Sequence, residues 1–397
     1  MSRSLYVLIL LLIGVGFWNV KPIGGFLSQD VCLLLFIIWF FYGYNSYRPK
    51  NYRLLCNVGY NKPIILIAVA VFVSFIPAYW FYGQPFLQSI VVNRQLISYL
   101  GLPLLLIVRP SFDELKKSLY CFAFLFTLVT MADSILGIDI VDRAMQSYNY
   151  DSQRDYIADG EFVHILRGFQ FIPLAFIFSL DDLRTSVRMK ELLLSTFLLS
   201  IIYIVQNRST LFPCALLYVF TIIHAKGGKF GVLMKTGILV FIVIMITYTA
   251  VQWKSLFIET QTQILDEDSN RTKAYIFFLT AYSPHWICNI IGNGLISIHS
   301  STIMQSLMAM GIYNSDVGLV GFWNHYGLLP VVVILSLVIK AFNRNMSYVV
   351  KCNAFLLLVC SFTIGYFVNI QYILWLCLFI YMYSYNDLIN RFNRYSD

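Results

Sequence analysis

Apolar runs of about 20 residues recur from one end of the chain to the other, each closed by a short polar stretch. A run of that length crosses a hydrocarbon core as a helix. The two-residue alternation of a membrane β-barrel strand is absent. Twelve spans are predicted, beginning near Leu5, Asp30, Pro63, Phe86, Lys117, Phe162, Glu191, Thr210, Val232, Gly318, Tyr348 and Ile370. The first run, LYVLILLLIGVGF, has no small-residue cleavage site and is followed by many more spans, so it reads as a retained helix and not a signal peptide. The expected fold is an all-α integral membrane protein, one polytopic domain over residues 1–397.

Two polar connections are long. Residues 137–161 are polar and acidic, and residues 253–317 far exceed the usual connection of about 4–6 residues, which marks a functional element. The second opens with a charged part, ETQTQILDEDSNRTKAYIFF. It continues as HWICNIIGNGLISIHSSTIMQSLMAMG, too short and too interrupted for another pair of spans. Short helices lying on or dipping into one membrane face are expected there. No internal repeat is evident, which argues against an inverted-repeat transporter.

Composition agrees with the pattern: 59% of the 397 residues are hydrophobic and 12% charged, against about 25% charged in soluble domains. The net charge of +8 is a topology signal. Nineteen of the 28 Lys and Arg residues fall on alternate connections and at the two chain ends. Positive loops stay cytoplasmic, so both termini are expected inside and residues 253–317 outside. Nucleic-acid binding is not expected. The eight cysteines show no CxxC or Cys/His spacing, so neither a metal site nor a disulfide framework is expected. The crowded acids Asp266 to Asp268 read as a solvated loop.

The nine remaining basic residues run against the bias: Lys21, Arg94, Arg143, Arg154, Arg167, Arg208, Lys254, Arg271 and Lys273. Arg94 lies within the fourth span, where an arginine costs at least about 2.5 kcal/mol, so a partner, a hydrated cavity or an anionic substrate is expected to compensate it. Arg208 stands in QNRST with Asn207, at the outward tip between spans seven and eight. Its planar fork of donors suits phosphate, and a helix start beside it favours anions; snorkelling to lipid headgroups is the alternative. Arg167, in HILRGFQFIP, is expected a turn and a half into span six, with Gly168 allowing close approach and Pro173 kinking the helix. An ion pair with Asp133 is its alternative. Arg271 falls in the first turn of a helix followed by Pro284 and a GNG that reads as a flexible turn open to close approach of a ligand, or else is a solvated loop residue. At the mouth of span ten, Asp316 reads as a general base or a helix cap. His325, two turns further in beside Asn324, reads as a polar site residue or an interhelical hydrogen bond. Cations from separate parts of the chain at one membrane level, with an aromatic loop, point to a chamber for an anionic amphiphile such as a lipid-linked diphosphate.

The segments QNRSTLFP, RTKAYIFFLTAYSPHWICNIIGNGL, SDVGLVGFWNHYGLLPVVV and RGFQFIP together resemble the O-antigen polymerase/O-antigen ligase superfamily. The likeness covers most of the chain as topology and is sharpest from Ile202 to Ser336. The ligases' His-Asn type motif after the large loop is missing, since NSDVG stands there, which places the chain nearer the polymerases (the Wzy family). The resemblance implies a GT-C-like glycosyltransferase relative in the bacterial inner membrane. Its substrate would be an undecaprenyl-diphosphate-linked oligosaccharide, and its reaction block transfer of the growing chain onto a new lipid-linked unit. It implies no cofactor or metal, membrane lipid as surroundings, and a chain-length regulator membrane protein as a further partner. On this reading Arg208 and Arg271, supported by Arg167, Asn207, His325 and Arg94, hold the diphosphate and sugars, and Asp316 is the base. A ligase acting on lipid A–core and a lipid-linked sugar flippase are the alternative readings.

Overall fold

A computed structural model describes residues 1–20, 29–47, 58–135, 156–158, 161–163, 168–204, 208–225, 270–297, 305–306, 317–362 and 369–396. It is a bundle of apolar helices. In order they are α1 (Arg3–Gly14), α2 (Gln29–Tyr47), α3 (Val58–Tyr82), α4 (Phe86–Val92), α5 (Gly101–Val108), α6 (Phe112–Thr130), α7 (Phe171–Thr185), α8 (Met189–Ile204) and α9 (Arg208–His224). There follow α10 (Asn270–Thr280), α11 (Trp286–Ile291), α12 (Gly318–Tyr326), α13 (Leu328–Ala341), α14 (Tyr348–Cys360) and α15 (Ile370–Ser396). Between α6 and α7 a two-stranded antiparallel hairpin pairs β1 (Tyr156–Ala158) with β2 (Glu161–Val163).

Three helical stretches are long and apolar enough to cross a membrane: Asp30–Tyr47, Asn61–Tyr82 and Phe112–Asp133. A fourth is a pair, Phe86–Val92 and Arg94–Val108, bent by 59° at its break. Shorter apolar helices include Arg3–Gly14, Thr210–His224, Leu328–Ala341 and Tyr348–Cys360. Outward faces are apolar, with Phe72, Trp80, Leu87 and Ile339 exposed. A surface of that kind is stable against lipid and not against water. The chain is a helical membrane protein.

Two helices form the centre. α7 is buried at every position from Phe171 to Leu180, and α15 at every position from Ile373 to Met382. Each is apolar on all sides, the pattern of a helix surrounded by other helices. Around them the chain sorts its ends. At one end Lys116 Nζ meets Asp182 Oδ1 at 2.8 Å, Arg184 pairs with Asp181 at 3.3 Å and lies 4.6 Å over the ring of Tyr348, and Ser118 Oγ donates to Ser4 O. Arg109 and Arg188 flank the same helix ends, so this is the basic end.

Several expectations are corrected. The sixth span does not begin near Phe162: residues 161–163 are strand β2, and the helix starts at Phe171. Arg167 therefore precedes it instead of lying inside it. Pro173 sits in its first turn, where a missing N–H costs nothing, so it does not kink the helix. The tenth span is interrupted at Gly327, whose φ of 79° ends α12 and starts α13. The ninth expected span, near Val232, lies outside the described residues.

Candidate functional site

The C-terminus of α14 is a junction. Thr210, in the first turn of α9, lies with Oγ1 4.0 Å from Cys360 Sγ. Tyr275 of α10 donates its phenol proton to Phe362 O. At the start of α12 the Leu319 amide donates to Ser361 O at 2.8 Å. The starts of α9 and α12 and the middle of α10 thus meet on the ledge Cys360–Ser361–Phe362. Gly318 makes the third approach possible: its φ is 50°, and a Cβ there would collide with Ser361 O. Val317 then packs on α10, in a small cluster with Ala274, Phe278 and Tyr282.

The ledge lies at the end opposite the basic one. Tyr348, at the start of α14, touches Arg184 near the end of α7 and bonds Thr221 near the end of α9. Both helices therefore run antiparallel to α14, and their starts lie beside its end. The start of α7 is pinned separately, where the Gly168 amide donates to Gln371 Oε1 of α15 at 2.8 Å. The close approach expected at Gly168 is made by the chain's own packing, since a Cβ there would meet Val15 and Phe122.

The predicted residues map onto this frame as follows. Arg208 is the first residue of α9 and Arg271 the second of α10. Position 271 precedes Tyr275 by one turn on the same face, because residues four apart align on a helix. Asp316, Arg167 and Asn207 lie outside the described residues. Position 316 adjoins buried Val317 in sequence, 167 adjoins Gly168, and 207 adjoins the start of α9.

Arg94 is not brought to the ledge. Its Nε donates to Asp30 Oδ1 at 2.6 Å and its Nη1 to Val91 O at 3.0 Å. Of the three compensations expected for a membrane arginine, the structure supplies the partner.

His325 belongs to a second polar feature, which sequence reasoning did not assemble. The segment Asn293–Ser297 lies in a notch between the end of α3, with Gln84 after it, and the end of α12. Asn293 N donates to Asn324 O and Gly294 N to His325 O, both at 2.8 Å. His325 Nδ1 is 3.2 Å from Gly294 O; a carbonyl only accepts, so Nδ1 carries the proton. Gln84, buried after α3, donates to Leu295 O at 3.0 Å and accepts from Ser297 N at 2.7 Å. Asn324 Nδ2 reaches back to Phe278 O of α10 at 2.9 Å. Tyr326 Oη donates to Asn93 Oδ1 at 2.6 Å, tying the break after α12 to the break after α4.

The GNG turn is thus a fixed close approach of backbones, not a flexible loop. A Cβ on Gly292 would strike His325 O, and one on Gly327 would strike Ile290 O. The sequence signal was the recurrence of glycine beside an amide side chain inside apolar stretches: GQ at 83–84, GNG at 292–294, NHYG at 324–327.

The two features connect through α10, which touches the ledge through Tyr275 and the notch through Phe278 O. The starts of α9 and α10 carry first-turn amides, a setting that favours anions, whereas in α12 the Leu319 amide is taken by Ser361 O. No family model and no curated protein matches the chain.

Proposed function

We propose that the chain is a surface-polysaccharide polymerase of the O-antigen type, joining undecaprenyl-diphosphate-linked repeat units at the outer face of a bacterial inner membrane. The observation that carries this reading is the meeting of the starts of α9 and α12 with the middle of α10 on Cys360–Phe362, away from the basic end. Arg208 opens α9, Arg271 stands one turn before Tyr275 in α10, and the start of α12 follows Asp316 by two residues. In this reading the chain crosses the membrane twelve times in a GT-C-like arrangement, both termini are cytoplasmic, and residues 253–317 cover the site from outside.

The chemistry follows from the charges. The bond between the donor sugar's anomeric carbon and the diphosphate oxygen breaks, and a new bond forms to a hydroxyl oxygen of the acceptor unit. Asp316 takes the hydroxyl proton. Negative charge grows on the departing diphosphate, so guanidinium groups fixed at its oxygens hold the transition state more tightly than the ground state. Arg208 and Arg271 carry that role, with Arg167 and Asn207 in support. The positive charge comes from these side chains, and the step calls for no metal. His325 supports the site indirectly by fixing the Gly294 segment.

Incubating the purified protein with an undecaprenyl-diphosphate-linked repeat unit tests the reading. Lengthening lipid-linked polymer with release of undecaprenyl diphosphate is expected. Transfer only to lipid A–core, or movement of the lipid-linked unit across vesicles with no new glycosidic bond, would overturn it in favour of a ligase or a flippase.

A further inference from the structure

The break in the fourth span carries an ion pair on the outward surface of the bundle. Arg94 and Asp30 meet at 2.6 Å, yet 43% of the Arg94 side chain and 68% of the Asp30 side chain remain exposed. The surrounding surface is apolar: Leu34, Ile38, Leu87, Ile90 and Val91 are all exposed. Asp30 opens one candidate span. Arg94 stands eight residues past the start of another at Phe86, a rise of roughly 12 Å along the helix. Opposite charges are therefore displayed side by side on a surface that otherwise faces lipid.

Simple snorkelling does not describe this arginine. Its guanidinium is held sideways by Asp30 and turned back onto Val91 O, a carbonyl of the last turn of α4. Both groups keep bonding capacity. A guanidinium has five N–H donors, of which two are used among the described residues, and a carboxylate has two accepting oxygens, of which Oδ1 is used. A ligand that suits both must offer an anion to Arg94 and a hydrogen-bonding cation to Asp30, and must carry apolar chains for the exposed leucine and isoleucine side chains. We propose that Arg94 and Asp30 form a headgroup site for a zwitterionic phospholipid with a primary ammonium: its phosphate meets the guanidinium and its ammonium the carboxylate. A choline headgroup has no N–H to give Asp30, and a glycerol headgroup has no cation. The site depends only on the chain's residence in a membrane and not on the transfer chemistry proposed above.

Thermal melting of the purified protein in detergent, with added dioleoyl phosphatidylethanolamine, phosphatidylcholine or phosphatidylglycerol, tests this. Phosphatidylethanolamine is expected to raise Tm about 2–4 °C more than the other two. That difference is expected to vanish in Asp30→Asn and in Arg94→Gln. Asp30→Asn, which leaves the guanidinium without its counter-charge, is expected to turn the preference to phosphatidylglycerol. Equal shifts for the three lipids in the wild type, or an ethanolamine preference kept by either variant, would overturn the proposal. Native mass spectrometry of the wild type from an equimolar mixture reads the same question without a variant: retention of phosphatidylethanolamine over phosphatidylcholine supports the site, and equal retention overturns it.

Discussion

Tyr326 donates its phenol proton to Asn93 Oδ1 across 2.6 Å, and with that one bond the broken tenth span holds the broken fourth. Both residues are buried, and each stands at the end of a helix that stops inside the bundle. Hydrogen bonds between membrane helices contribute about 0.6 kcal/mol on average and about 1.7 kcal/mol at most. Tyr326→Phe keeps the ring and removes the bond, so a loss of about 1–1.7 kcal/mol is expected in reversible unfolding from mixed micelles. No loss would mean that the two breaks are held by packing alone.

The glycines of the notch separate two physical effects. Gly83 has a φ of 65° with open space where a Cβ would stand, whereas Gly292 has a φ of 86° and would drive a Cβ into His325 O. Gly83→Ala is expected to cost about 1 kcal/mol, the backbone term alone. Gly292→Ala is expected to cost at least about 3 kcal/mol, because strain and collision add. Equal losses in the two variants would show that the backbones do not need to touch.

His325 holds Gly294 O through a protonated Nδ1. His325→Asn can still donate to that carbonyl and is expected to retain most stability and polymer formation. His325→Leu cannot, and is expected to lose about 1–3 kcal/mol by leaving the carbonyl without this donor. If both variants lose polymer formation equally while both remain folded, the imidazole acts on substrate and not through the Gly294 segment.

Gly318 decides whether α12 reaches the ledge. Gly318→Ala sets a methyl against Ser361 O and opposes the Leu319–Ser361 bond. The protein is expected to keep its helix content by circular dichroism and to lose polymer formation by at least about tenfold, since a displacement of about 1 Å at a reacting group costs up to about 100-fold. Unchanged turnover would detach the ledge from the chemistry.

How much of this was legible beforehand varies with the kind of interaction. The helical membrane class was open to reading because apolar runs and basic loops are local signals, and α3, α6 and α14 lie close to where their runs predict them. The basic end was legible for the same reason, and Lys116, Arg184 and Arg188 gather there. The start of α7 was misread, because Phe162 and Val163 are as apolar as the helix that follows and their strand pairing is set by Tyr156 and Ile157. The break at Gly327 had a visible sign in the Gly-Leu-Leu-Pro step, but apolar flanks on both sides read as one span. The notch was out of reach, since Gln84, Asn93, Asn293 and Tyr326 meet across separations that no local period encodes.

The central claim is that Arg208, at the start of α9, and Arg271, one turn before the Tyr275 contact with the same ledge, act on one diphosphate. A double-mutant cycle on single-turnover polymerisation by the purified protein tests it most directly. Arg208→Ala and Arg271→Ala are each expected to slow transfer by about 100–1,000-fold. The double variant is expected to be little slower than either alone, because groups that hold one leaving group act as a unit. Full turnover in either folded single variant, or strictly multiplicative losses in the double variant, would contradict the account.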